Sequence, residues 1–184
     1  MIRFFIVILS LVFCGSFAQE VVIENDSLIL WQKDRQLTWD DFKGDPVEDK
    51  INALAEVHGR IKTIKTYWSN GVPRFEIGCH FLKFDSWTST KDSLSLVHEQ
   101  IHFDIYELHA RKIRKAFCEL NEKRVTDFKS YQDLFNNNLK ANGELNELYD
   151  IEVVVKQDNQ QKWKSKVAKE LEALKEYEYI PDNE

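Results

Sequence analysis

Residues 92–121 contain neither glycine nor proline, and Leu94, Val97, Ile101, Ile105 and Leu108 recur among them at three- and four-residue steps. That spacing lays an apolar stripe along one face of an α-helix. A long amphipathic helix has to bury its stripe against another layer, so this stretch constrains everything around it. The preceding residues supply strands. Residues 21–24 and 28–31 are short apolar runs, and Ile61, Ile64, Tyr67 and Trp68 enrich the next stretch in β-formers. Asn70-Gly71 signals a hairpin, because both residues tolerate positive φ. Phe75, Ile77, Cys79 and Phe81 alternate with Glu76, Gly78 and His80, the pattern of a half-buried strand. Thr38 reads as the cap of a helical turn over Trp39, Asp40 and Asp41. The residues that follow supply helices. One is expected over 126–149, where Val153-Val154-Val155 should break it or begin an extended segment. Another is expected over 159–176, burying Trp163, Val167, Leu171 and Leu174. The fold class is α+β: an N-terminal antiparallel sheet packed on the long helix and on C-terminal helices. Trp39, Phe42, Trp68, Phe75 and Trp87 are expected in the core.

The first residues stand apart from this pattern. Arg3 precedes an apolar run from Phe4 to Phe13, and Ser16 and Ala18 occupy the small positions of a cleavage site before Gln19. Residues 1–18 therefore read as a secretory signal peptide, leaving 19–184 as a single exported domain. The run is shorter than the roughly 20 apolar residues that a membrane span requires. Phe13 directly before Cys14 disfavours lipid attachment at that thiol. No second hydrophobic span follows, so the mature chain is expected in the periplasm or outside the cell. With Lys+Arg 25 against Asp+Glu 31 and a net charge of -6, no basic stripe suits nucleic acid. After cleavage Cys79 and Cys118 remain, either paired in an oxidising compartment or buried and free.

The long helix also carries chemistry. His98-Glu99-Gln100-Ile101-His102 is an H-E-x-x-H motif. Four residues of helix turn through about 400° and rise about 6 Å, so both imidazoles leave one face and can close on a single Zn²⁺. Glu99 lies about 100° further round. It can reach a zinc-bound water without ligating the ion, and act as general base while zinc lowers the pKa of that water. Hydrolysis of a peptide bond in a protein or peptide substrate is the natural use of such a set. The competing reading is a binding or structural protein of the cell envelope that keeps the fold without the activity.

A catalytic zinc needs a third protein ligand. His109 is nearly in phase with His102 but rises about 10.5 Å beyond it, and reads as a partly exposed polar helix residue. Glu107 is better explained as an ion-pair partner of Arg111 at i+4. Asp104 suits at most an outer hydrogen-bonding position. A third histidine six residues after His102 would fall on Leu108, and Met1 is the only methionine, so the extended motif with a methionine turn is excluded. His58 and His80 lie among the strands and read as partly exposed sheet residues. Glu144, Glu147, Asp150 and Glu152 lie at the end of the second long helix. Glu152 is the first choice for the third ligand and Asp150 the second.

These residues resemble a bacterial family of unknown function whose members are described as predicted secreted zinc-dependent proteases. The likeness is carried by His98 to Ile105 with Glu107, Ala110 and Arg111, by Leu37-Thr38-Trp39-Asp40-Asp41-Phe42-Lys43-Gly44, by Ser86-Trp87, and by Tyr149-Asp150-Ile151-Glu152 with Gln160 and Trp163. It spans nearly the whole mature chain. It implies a minimal zincin-like metallopeptidase with zinc on His98 and His102 and Glu99 as base. Where the family pattern continues with Thr-x-His-Gly, this chain has Val153, Val155 and Lys156. A histidine ligand at that place is therefore missing. If the family uses it, Glu152 or Asp150 must substitute; if Glu152 is the ligand, nothing essential is lost.

Overall fold

A computed structural model describes residues 21–47, 53–156 and 158–181. Residues 1–18, read above as a signal peptide, lie outside the described residues, and Cys14 with them. The elements are mixed α and β. Strands β1 (Leu28–Leu30), β2 (Ala55–Glu56), β3 (Gly59–Ser69), β4 (Val72–Leu82) and β5 (Trp87–Thr88) come first. Helices α1 (Ser93–Glu122), α2 (Phe128–Val155) and α3 (Asn159–Ala173) follow. One antiparallel sheet has the order β1-β4-β3, and β2 pairs with β5 in a second, two-stranded sheet. Residues 21–24 form no strand, only a bridge from Glu24 to Ile29.

The β3–β4 hairpin turns at Asn70 and Gly71, whose φ values of 53° and 74° suit the tight turn that matches strand twist. β4 is central, covered by β1 on one edge and β3 on the other, so Cys79, His80 and Phe81 are all buried and simple alternation fails there. Around Thr38 the backbone N–H donates to Asp41 Oδ2 at 2.7 Å, closing the expected turn as one round of 3-10 helix over Trp39–Asp41.

The α1 helix is buried on more than its apolar stripe. The sheet covers one side, where Phe81 meets Phe103 with ring centroids 5.8 Å apart. α2 and α3 cover others, through the Phe117–Tyr131 contact at 5.1 Å and through Trp163, Val167 and Leu171. Helix α1 is therefore the spine of the fold and not a surface helix with one wet face. Leu94, at its first turn, is instead 57% exposed. Trp68 is also exposed, packing only its edge against Phe128, because it sits at the hairpin tip beyond the helices. At the other end of β3, a Cβ on Gly59 would lie 2.4 Å from the Tyr106 ring, so only glycine lets that strand approach α1. Cys79 is buried on β4 and Cys118 is exposed on α1; both are free.

The α2 helix does not stop at Tyr149 but runs through Val155. β-branched residues cost a helix only a few tenths of a kcal/mol each, roughly, and packing on α1 and α3 outweighs that. This extension decides the site below. The last helix ends earlier than its sequence suggests, at Ala173, before a 3-10 turn over Lys175–Tyr177. No helix among the described residues is long and apolar enough to cross a membrane.

Candidate metal centre

Asp92 starts α1 by accepting the Ser95 N–H at 2.7 Å, which fixes the phase of the helix one turn before His98. His98 and His102 then project from the same face, with Nε2 atoms 3.0 Å apart. α2 returns antiparallel along α1. Tyr131 meets Phe117, Asn142 hydrogen-bonds Tyr106, and Asn146 and Asp150 reach His102. Asp150 Oδ1 lies 2.9 Å from His102 Nε2 and 3.1 Å from His98 Nε2. Two imidazole nitrogens and one carboxylate oxygen thus converge on one point.

This donor set fits a small divalent ion. Bonds of about 2.0–2.1 Å in a tetrahedral site place ligand atoms about 3.3 Å apart, so an ion needs the triangle to open by only a few tenths of an ångström. Two N ligands and one O ligand leave a fourth position toward the cleft. The outer partners fit as well. Asn146 Oδ1 lies 2.7 Å from His102 Nδ1 and accepts its N–H, so Nε2 is the nitrogen whose lone pair an ion would take once its proton leaves. The Tyr149 ring stacks on His98 at 4.7 Å with an interplanar angle of 25°. Protons and a metal ion compete for the same three lone pairs. Burial works against a charged His102, but the Asp150 carboxylate outweighs it and raises the imidazole pKa. Burial likewise works against an ionised Asp150, and hydrogen bonds from His102 and His98 reverse that and hold its carboxyl well below the usual range.

Glu99 is 4% exposed beside this cluster. Burial raises its pKa, while the two imidazoles and a hydrogen bond from the Val57 backbone pull it back. Glu99 and the three converging side chains line an open cleft of about 1120 Å³. β2 and the residues beside it form one wall, and the end of α2 forms the other.

Glu152 does not join the cluster. Its Oε2 accepts the Trp163 Nε1–H at 2.8 Å, tying α2 to α3. The reason is helical phase: Asn146, Tyr149, Asp150 and Val153 share a face, whereas Glu152 lies about 200° round from Asp150. The other candidates have separate roles. His58 Nε2 faces Glu56 at 3.3 Å. His80 and His109 are buried, not partly exposed, and burial lowers each pKa to about 4. Asp104 accepts from Trp31 Nε1 and Gln100 Nε2, both at 2.9 Å, and serves the packing of the N-terminal segment. Glu107 pairs with Arg111 at 2.9 Å, as its spacing predicts. Glu144 lies 3.7 Å from Lys140 on the exposed side of α2. Trp87 is buried and donates to Glu56 at 2.9 Å. Asn146 and Tyr149 escaped the sequence reading; their signal was the i, i+3, i+4 spacing to Asp150, visible only if the helix is carried past Tyr149.

Compared with family models, with curated proteins and with solved structures, the chain matches none.

Proposed function

We propose that this protein is an exported zinc-dependent peptidase of minimal zincin-like build. One observation carries the reading: His98 Nε2, His102 Nε2 and Asp150 Oδ1 lie within 3.1 Å of one another, and the buried carboxylate of Glu99 stands beside them on the cleft. His98, His102 and Asp150 would hold the ion, with Asp150, the second choice from sequence, as the third ligand. Zinc suits two imidazoles and one carboxylate, and when bound it supplies Lewis acidity toward a substrate carbonyl and a water. The chain's own residues do the rest. Asn146 fixes the His102 tautomer, and Tyr149 fixes the plane of His98. Glu99 takes a proton from the attacking water and passes it to the leaving nitrogen. The C–N bond breaks, the carbonyl carbon keeps the hydroxyl, and the nitrogen leaves as an amine carrying that one proton. The hydrophobic leader over residues 1–18 supports export, and the H-E-x-x-H block with its flanking motifs supports the family.

Elemental mass spectrometry of the purified protein tests the centre. About one zinc per chain is expected, lost in a His98→Ala, His102→Ala double variant. Glu99→Gln should keep the zinc and lose hydrolysis by about 10²–10⁴-fold, the usual contribution of a general base. Zinc bound with no hydrolysis of any peptide in a broad library would instead favour a binding protein that keeps the fold.

A further inference from the structure

The first turn of α3 touches both helices that carry the candidate ligands. Gln160 Nε2 donates to the Leu94 carbonyl at 2.9 Å, one turn before His98 on α1. Asn159 Nδ2 donates to the Glu152 carbonyl at 2.9 Å, near the end of α2. Trp163, one turn further along α3, makes two contacts with the same part of α2. Its Nε1–H donates to Glu152 Oε2 at 2.8 Å, and its ring meets the Tyr149 ring edge-on with centroids 5.4 Å apart. Tyr149 in turn stacks on His98 at 4.7 Å. Trp163 and Tyr149 are both buried. These contacts bear on the phase of α2. Tyr149 and Glu152 lie about 60° apart on that helix, and Asp150 lies about 130° round from the edge they form. Held along that edge by Trp163, α2 turns Asp150 away from α3 and toward His98 and His102. A carboxylate about 5–6 Å from the helix axis moves about 2 Å when the helix turns by about 20°, as far as a whole metal–ligand bond of about 2 Å.

We propose that Trp163 is a positioning residue of the metal centre: by holding Glu152 and Tyr149 it sets the phase of the end of α2 and so delivers Asp150 to His98 and His102. The proposal rests on the preceding reading for the ion, and on the contacts of α3 for the positioning. Trp163 touches neither ion nor substrate. It acts through two residues, each next to or within one turn of Asp150, and through Tyr149 it also reaches His98.

Zinc affinity and local order provide the test. Trp163→Phe keeps a ring and removes the N–H, whereas Glu152→Leu removes the acceptor. Each should weaken zinc by about fivefold in competition with a chelator, the worth of one hydrogen bond. The double variant should also lose about fivefold rather than about twenty-five-fold, because both changes abolish the same bond. Glu152→Gln keeps an acceptor and should stay within about twofold of the wild type. Val167→Ala, further along the same helix, should lower the urea midpoint and leave zinc affinity within about twofold. In the zinc-free chain, Trp163→Phe should speed amide hydrogen exchange over residues 150–155 by about fivefold and leave α1 unchanged. Unchanged zinc affinity in Trp163→Phe, losses that multiply in the double variant, or an equal weakening in Val167→Ala overturn the proposal. Faster exchange in Trp163→Phe with no zinc on the wild type would sink the metal centre and leave the setting of the α2 phase standing. Zinc on the wild type, with affinity and exchange unaltered in Trp163→Phe, would do the reverse. No zinc and no faster exchange would end both.

Discussion

Two polar clusters sit on the same helix, three turns apart, and they are built in opposite ways. Around Arg111 every guanidinium nitrogen has an acceptor. Its guanidinium reaches Glu107, the Leu171 carbonyl and Glu178 at 2.8–2.9 Å. Arg114 adds the carbonyls of Ile77 and Tyr177 and both oxygens of Glu107. That network joins β4, α1, α3 and the C-terminal segment, and opposite charges cancel within it. Around His102 two imidazole nitrogens and a carboxylate oxygen converge, sharing protons that an ion would displace. A cluster that closes on itself holds a fold together, whereas a cluster that converges on an open cleft is arranged for something that arrives from outside.

The comparison can be broken at either end. The largest expected effect is at the convergent cluster. Asp150→Ala should remove zinc and hydrolysis together, measured by elemental analysis and peptide turnover, while Glu152→Gln should keep both. Retention of zinc by Asp150→Ala and its loss from Glu152→Gln would restore Glu152 as the ligand. At the closed cluster, Arg111→Ala leaves Glu107 buried beside a single remaining cation. A loss of about 3–5 kcal/mol in a denaturant titration is expected, with metal content unchanged in whatever folds. Smaller is Asn146→Ala, which frees the His102 ring. Zinc affinity should fall by about 10–100-fold in a competition with a chelator, and the fold should persist.

A further effect is one of pH and belongs to neither cluster. His80 Nδ1 and both ring nitrogens of His109 are buried without hydrogen-bond partners, and both side chains are kept neutral with pKa values of about 4. Between that value and about 6.5 these two side chains bind more protons in the unfolded chain than in the folded one. Stability should therefore be complete above about pH 6.5 and decline progressively toward about pH 4. Urea midpoints across that range would show the slope, and His109→Gln should flatten it. An unchanged slope in His109→Gln would show that His109 is not held neutral in the fold.

Much of this architecture is legible along the chain because its signals are local. The apolar spacing of α1, the Asn70-Gly71 turn and the order of strands before helices all follow from residues close in sequence. So does the His98, Glu99, His102 face, since a helix alone places i and i+4 together. The misreadings share another cause. His80 and His109 look like surface residues because polarity suggests exposure, and only the sheet order and the return of α2 bury them. Gln100 and Asp104 sit inside the motif but bind Leu37 and Trp31, contacts across more than sixty residues.

Sequence by itself determined that one helix would carry two imidazoles and a carboxylate on a shared edge. Only tertiary structure decided which residue completes the set. Local preference ends α2 near Tyr149, ahead of the valine run, which leaves Asp150 and Glu152 equally free to turn inward. Packing against α1 and α3 carries the helix to Val155 and thereby sets its phase. Once that phase is set, two residues of separation turn the side chains about 200° apart. Asp150 then faces the histidines, and Glu152 faces Trp163.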